Sequence, residues 1–559
     1  MGFIPSSIMN TKNNQNSTNF LVQGSILAIA SIISRIVGLI YRVPLKAIIG
    51  KTGNNYYGTA FEIYSIILII SSYSLPLAVS KLVAARMERG EVKNTMKVLK
   101  GSLLFAVLSG GTFMCIVYFF ADYFTDLLKT PLASIALRVL APVILIVAVL
   151  GVFRGFFQGL HTMMPSAVSQ IIEQIVNAVI SIVAAYYLFH IGARIGGVIG
   201  DKEEYAAAYG AAGGTVGTAA GALVAFLFVL FIYLVFYKRF KRRVVRDHKP
   251  NNETYGQVFK LLIATIIPVL LSTTLYNIVS ILDQGIFKNM VTLQGYDAKQ
   301  ISEWWGVYTG QYKVLINVPI SIASAMAASS VPALAAAYNS DNLKRVRSQI
   351  HSATRFIMLI AFPCTVGMAV LSGPIMMLLF SDSDPDSVKM LMYGSISILF
   401  YSLSTLSNGI LQGIDRLRVP VRNAAIALVL QLVFLIVALQ KFDLNIYGMI
   451  YANAFYGLCM CVLNHWAVVR YSGVRQNIHK TYILPLFSSV VMGVAVLLTY
   501  QLLHMITHNN AIPCVIAIVV GGFVYFVVML LVKGISEKDL RKFPEGQRLV
   551  ALAKSLRLL

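Results

Sequence analysis

Charge is scarce in this sequence. Asp, Glu, Lys and Arg make up 12% of its 559 residues, about half the share of an ordinary soluble protein. That shortage excludes a soluble globular chain. Negative charge is scarcer still, with 23 acidic residues against 46 basic ones. Cysteine is sparse too. Cys115, Cys364, Cys459, Cys461 and Cys514 all sit in apolar runs, which argues against a disulfide-stapled fold. Cys459 and Cys461 form a CxC with no His or Cys at metal-ligand spacing, and they read as packing residues. His504 and His508 stand four apart with no third ligand in view, so no metal is expected. The first nineteen residues carry no signal-peptide pattern, so the first span is expected to remain as a helix.

Long apolar runs are what the sequence has in abundance. Hydrophobic residues make up 57% of it, and the mean hydropathy is +0.73. The runs predict an all-α polytopic membrane protein of fourteen transmembrane helices. They include 20–49, 57–85, 133–153, 166–189, 258–287, 307–338, 482–505 and 511–532. The connecting loops alternate in charge. With the span ends beside them counted in, one side collects 33 basic and 9 acidic residues, with clusters at 81–100 and 238–249; the other holds 8 and 11. The basic side is therefore expected to be cytoplasmic, with both termini on that side. Topogenesis explains this charge without nucleic acid, and membrane lipids are the expected partner of the basic loops.

Two short motifs recur. FFQGLHTMMP (156–165) and ILQGIDRLRVP (410–420) both place Gln-Gly at a helix exit and a proline before the next helix. LPLAVSKLVAA (75–85) resembles VPALAAAY (331–338). Pro76 and Gln158 are 82 residues apart, Pro332 and Gln412 80. Matched spacing of matched pairs predicts a duplication. The expected organisation is a cytoplasmic N-terminal segment (1–19), an N-lobe of helices one to six (20–237), a basic linker (238–257) and a C-lobe of helices seven to twelve (258–470). Helices thirteen and fourteen (471–533) and an amphipathic cytoplasmic tail (534–559) follow. Parallel repeats of this kind are a transporter architecture, with the substrate path expected between the halves.

Ionisable residues inside the runs are the candidate site. Arg35, Arg42 and Lys46 fall within about 40° on one face of the first helix. Arg35 is too deep to snorkel, whereas Lys46 and Arg138 can reach headgroups. Lys313 lies in span eight. The acids are Glu62, Glu173 and Asp283. A watery path with excess cations suits an anionic substrate, and the planar guanidinium fork suits phosphate oxygens. The acids would hold these cations or bind a coupling ion. Asp283 with Asn277, and Glu173 with Asn177 at i and i+4, are the coupling candidates. Structural pairing is the competing reading for each.

The segments SRIVGLIYRVPL and YYGTAFEIYSIILIISSYSLPLAVSKLVA, the two QG…P repeats and the ending FPEGQRLVALAKSLRLL together resemble one known family. It is the polysaccharide-biosynthesis branch of the MOP flippase superfamily, of SpoVB/YtgP type and grouped with the MurJ-like lipid II flippases. The resemblance implies two parallel six-helix lobes in a V and a groove for a polyprenyl tail on helices thirteen and fourteen. It implies a flippase that moves an undecaprenyl-pyrophosphate-linked glycan outward by alternating access, with lipid II as first candidate and the cell-wall synthesis machinery as a possible partner. No cofactor is implied beyond a coupling Na+ or H+ or the membrane potential. Ser34 and Arg35 match the Ser-Arg of the family's first helix. Its second arginine falls one position later here, at Arg42, with Tyr41 in its place. Lys313 can fill the basic position of helix eight, and Asp283 resembles a helix-seven sodium ligand. The arginine of span two and the acids of span eleven have no match; Glu62 is the charge in span two.

Two other functions compete. A cation-coupled drug exporter of the MATE branch shares twelve helices with the same duplication. It favours an acidic or apolar cavity and needs no helices thirteen and fourteen. A membrane glycosyltransferase or polymerase needs a substantial outer domain. The longest loops on the less basic side, about 190–210 and 288–306, are too short for one, and no nucleophile–base pair or metal-ligand set stands out. The expectation is a transporter and not an enzyme.

Overall fold

The computed structural model describes residues 40–535 except His161, 248–252, 340–341, Leu417 and Arg475, together with Ala30, Ile33, Ser34, Val37 and Gly38. Arg35, with most of the expected first span, lies outside the described residues, as does the tail from 536 onward. Among the described residues every regular element is a helix. In chain order these are α1 (Arg42–Leu68), α2 (Leu75–Glu88), α3 (Val92–Phe119), α4 (Ala121–Leu127), α5 (Ala133–Gly159), α6 (Met164–Ile199), α7 (Lys202–Val245), α8 (Tyr255–Leu293) and α9 (Ala298–Val307). Then come α10 (Lys313–Asn339), α11 (Leu343–Val370), α12 (Ser372–Phe380), α13 (Pro385–Gly394), α14 (Ile396–Gly413), α15 (Arg418–Phe442), α16 (Asn445–Ser472), α17 (Leu484–Thr507) and α18 (Ala511–Leu531).

Among the described residues, eleven segments are helical, long and apolar enough to cross a membrane. The chain is a multi-pass membrane protein. Expected spans seven and eight fall on α8 and α10, helices of 39 and 27 residues. Large apolar side chains face outward, among them Phe231, Leu234 and Val235 on α7 and Phe487, Val490 and Val494 on α17. Hydrocarbon accepts such a surface; water would not.

The chain divides into two compact units. Residues 1–289 with 298–306 form the first; 290–297 with 307–559 form the second. Residues 258–287, read from sequence as the start of the C-lobe, thus pack in the first unit.

In the first unit, α1 bends where the first apolar run ends. Gly50 takes φ 70° and ψ −171°, a conformation only glycine adopts without strain. The 190–210 segment is not a loop. α6 continues to Ile199 and α7 begins at Lys202, so only Gly200 and Asp201 separate them. Hydropathy falls there because of glycine and charge, yet helix-forming Ala, Glu and Lys persist. Small residues draw the two helices together. A Cβ at Gly192 would sit 2.4 Å from the Tyr205 carbonyl oxygen, and one at Gly217 2.4 Å from the Ser181 nitrogen. Gly213, Gly217 and Gly221, at i, i+4 and i+8, line this contact against Ala184–Ala185, Asn177–Ser181 and Glu173.

Each unit repeats one packing. In the first, GFFQG ends α5, and Gly155 and Gly159 lie against Pro76, Val79, Ser80 and Val83 of α2. In the second, GILQG ends α14, and Gly409 and Gly413 lie against Ala327, Val331 and Leu334 of α10. The repeated Gln-Gly is the last part of a GxxQG element whose glycines admit a close helix crossing.

Beyond α7, the basic segment is tied to the helices of its own unit. Arg86 Nε and Nη2 donate to the two carboxylate oxygens of Glu253, both at 2.8 Å. The Lys93 backbone N–H donates to Asp247 Oδ2 at 2.9 Å. A bidentate pair, largely withdrawn from water, is worth more than a surface bridge. Arg86→Ala is expected to lower stability by about 2 kcal/mol, read as a lower melting temperature, with Arg86→Lys recovering part of it.

Candidate functional site

Two helices of the first unit carry polar residues at matching intervals. On α1 they are Asn55, Thr59 and Glu62; on α8 they are Ser280, Gln284 and Lys288. Spacings of three, four and eight keep each set on one helical face. The helices run antiparallel, so the two faces meet rung by rung. Ser280 Oγ donates to Glu62 Oε1 at 2.7 Å. The Gln284 amide is assigned by its neighbours. Its nitrogen donates to Glu62 Oε2 at 2.8 Å, and its oxygen accepts from Thr59 Oγ1 at 2.6 Å and from Lys288 Nζ at 3.0 Å. Lys288 Nζ also donates to Asn55 Oδ1 at 2.7 Å and to Thr130 Oγ1 at 2.5 Å. Ser302 on α9 accepts from Asn55 Nδ2 at 2.8 Å and closes the far end.

The seam joins a carboxylate to an ammonium through one amide. Glu62 is half-buried, while Asn55, Thr59, Gln284 and Lys288 are buried. Burial makes every unmade bond costly, which is why polar groups here occur as a connected set. Asp283, beside Gln284 in the chain, is buried as well. The side chain of Asn277 lies outside the described residues.

The remaining candidates are placed as follows. Arg42 is half-buried at the start of α1, its guanidinium 5.9 Å from the centre of the Tyr57 ring. The Tyr57 and Tyr41 hydroxyls share a hydrogen bond of 3.1 Å. Lys46, one turn further, is buried. Glu173 pairs with Arg154 Nη2 at 2.8 Å, and Arg154 Nε donates to Ser169 Oγ at 2.9 Å. Asn177 is buried and accepts from Ser181 Oγ at 2.9 Å. Gln174, on the same helix, lies against Gly38, between Arg35 and Arg42 in the chain. Arg138 pairs with Asp122 on an exposed surface. Lys313 belongs to the second unit, with its Nζ 4.8 Å from the centre of the Tyr308 ring.

Sequence reasoning missed two cations. Lys288 and Arg154 each sit one residue beyond the end of an assigned apolar run and were counted with the loops. Helical spacing was the available signal. Lys288 extends the Ser280–Gln284 stripe by one more turn, and Arg154 lies within α5, which runs on to Gly159.

The family model described as polysaccharide biosynthesis protein matches residues 21–338. The chain belongs to this family. A second model, described as MatE, matches residues 314–437. Among relatives of this chain is the lipid II flippase MurJ of Bacillus subtilis (strain 168). It is 27% identical over 529 residues, 90% of this chain and 94% of that protein. Stage V sporulation protein B of the same organism is 29% identical over 136 residues, 24% of this chain and 26% of that one. Among solved structures, an inward-facing multidrug resistance MATE family transporter of the MOP superfamily aligns with a TM-score of 0.63 and 18% identity. It covers 80% of this chain and 98% of its own. Lipid II flippase MurJ in an inward closed conformation aligns with a TM-score of 0.62 and 16% identity, covering 90% of this chain and 97% of its own. At these identities the structural likeness is one of fold. One sequence relative is thus named a lipid II flippase, and the solved structures that share the fold are those of a MATE family transporter and a lipid II flippase.

Proposed function

We propose that this protein is a flippase that moves an undecaprenyl-pyrophosphate-linked glycan from the inner to the outer leaflet, with lipid II as the first candidate. One observation carries the reading: the likeness to MurJ extends over 90% of this chain and 94% of that protein. The MATE transporter uses 98% of its own length yet leaves a fifth of this chain unmatched. In this proposal fourteen helices form two parallel six-helix lobes in a V, and both termini are cytoplasmic. Helices thirteen and fourteen (471–533) carry the prenyl tail. Arg35, Arg42, Lys46 and Lys313 bind the pyrophosphate, since guanidinium and ammonium groups at bilayer depth match the charge that must cross. Glu62 and Arg138 adjoin this path. Asp283 with Asn277, or Glu173 with Asn177, binds a coupling Na+ or H+ in the proposal, with the membrane potential as the other driving force.

A second reading, a cation-coupled drug exporter, is favoured by the MatE match over 314–437. Depletion and rescue separates the two. In cells depleted of their own lipid II flippase, expression of this chain is expected to restore growth and outward-facing lipid II accessible to an external protease or colicin-type probe. Good expression without rescue, accompanied by resistance to cationic drugs, would favour the exporter.

A further inference from the structure

Lys288 takes no part in the transport just proposed. The residue is 1% exposed. An ammonium has three N–H donors and no acceptor. Three oxygens meet them: Asn55 Oδ1 at 2.7 Å, Thr130 Oγ1 at 2.5 Å and Gln284 Oε1 at 3.0 Å. Thr59 Oγ1 stands further off at 3.5 Å. All four are neutral amide or hydroxyl oxygens, supplied by α1, α8 and the segment between α4 and α5. The face of Trp305 lies 5.7 Å from Nζ, and Trp305 is itself buried and stacked on Phe287. Ser302 holds the Asn55 nitrogen, which leaves the Asn55 oxygen for the ammonium. Charge balance from Glu62 arrives through Gln284.

Neutral oxygens converging on one positive charge beside an aromatic face make a site for a monovalent cation. We propose that the first unit contains such a site and that Lys288 fills it with a tethered ammonium. Burying an ion is costly unless its ligands are already in place, and a tether removes the entropy cost of capturing a free one. The site is therefore loaded at every salt concentration and pins α1, α8 and Thr130 together without an ion from solution. Shortening the side chain to Cβ leaves the oxygens and empties their centre. Ammonium, and potassium of similar size, should then bind better than the smaller sodium. The inference concerns the first unit alone and stands or falls separately from the flippase reading.

The test is thermal unfolding of purified full-length Lys288→Ala in choline chloride and in equal concentrations of ammonium, potassium and sodium chloride. The variant should melt below the parent in choline and regain about 2 °C or more in ammonium. The parent and Lys288→Met, whose apolar chain fills the cage, should show no such selective gain. Equal melting of Lys288→Ala in ammonium and choline overturns the proposal. If Lys288→Ala gives no folded protein in any salt, Asn55→Asp in the parent background decides. A carboxylate beside a tethered cation, with the Ser302 hydroxyl turning to donate, should raise the melting temperature; an unchanged or lowered value overturns the proposal.

Discussion

Gly217→Leu is expected to leave no monodisperse, detergent-extractable protein. A Cβ at this position would lie 2.1 Å from Ser181 Oγ, 2.4 Å from the Ser181 nitrogen and 2.6 Å from the Asn177 carbonyl oxygen. The hydroxyl can rotate away; the backbone atoms of α6 cannot. A methyl group alone forces the helices apart, at a cost of about 3 kcal/mol for Gly217→Ala. An isobutyl group asks for several ångströms along a contact already set by Gly213 and Gly221, which exceeds what a marginally stable fold tolerates. Separating α6 from α7 would also break the Ser181 hydrogen bond to the Gly214 carbonyl. Fluorescence-detected size exclusion of tagged protein measures the outcome. Gly111 is the control, because a Cβ there meets nothing within 4 Å. Gly111→Ala should be neutral or slightly stabilising, since glycine inside a helix is the less favoured residue.

The second large effect is expected at Arg42. Arg42 as a residue is half-buried, and its guanidinium, with five N–H donors, lies over the Tyr57 ring; the proposal gives part of that donor set to an anion. Loss of one charge-assisted contact to a diphosphate costs about 1.5–3 kcal/mol. Arg42→Ala should therefore slow flipping about 10- to 100-fold, with expression and melting temperature nearly retained. Arg42→Lys should recover little, because a point charge does not reproduce the planar fork. A purely structural Arg42 would behave differently. It would lower the melting temperature through the lost cation–π contact, while flipping per folded molecule stayed unchanged.

The sequence and the structure agree where one helix decides the matter. Apolar runs located α5, expected at 133–153 and observed at 133–159, because a span must bury about twenty residues whatever surrounds it. The break at Gly50 was legible for a similar reason, since the run simply stops at Ile49. The continuous α6–α7 hairpin was not legible. Its helical turns beyond 189 are held by Gly192 and Gly196 against Tyr205 and Asp201, a pairing that hydropathy does not register. The polar seam was half legible. Glu62 and Asp283 stood out as charges in apolar runs, but Asn55, Thr59 and Gln284 gain meaning only when α1 and α8 lie side by side. Lys288 looked like loop charge until its three acceptors were in place. The pairing of Glu173 required Arg154 to be helical, which the apolar run, ending one residue earlier, did not indicate.

Reconstitution tests the central claim most directly. Vesicles containing this chain as their only protein would carry a labelled polyprenyl-pyrophosphate-linked glycan in one leaflet, and an impermeant reagent would report its arrival in the other. The account predicts protein-dependent transfer that Arg42→Ala slows at least tenfold and that a cationic drug does not compete away. Well-folded protein that leaves the lipid in place, or that moves it equally well without Arg42, would contradict the account.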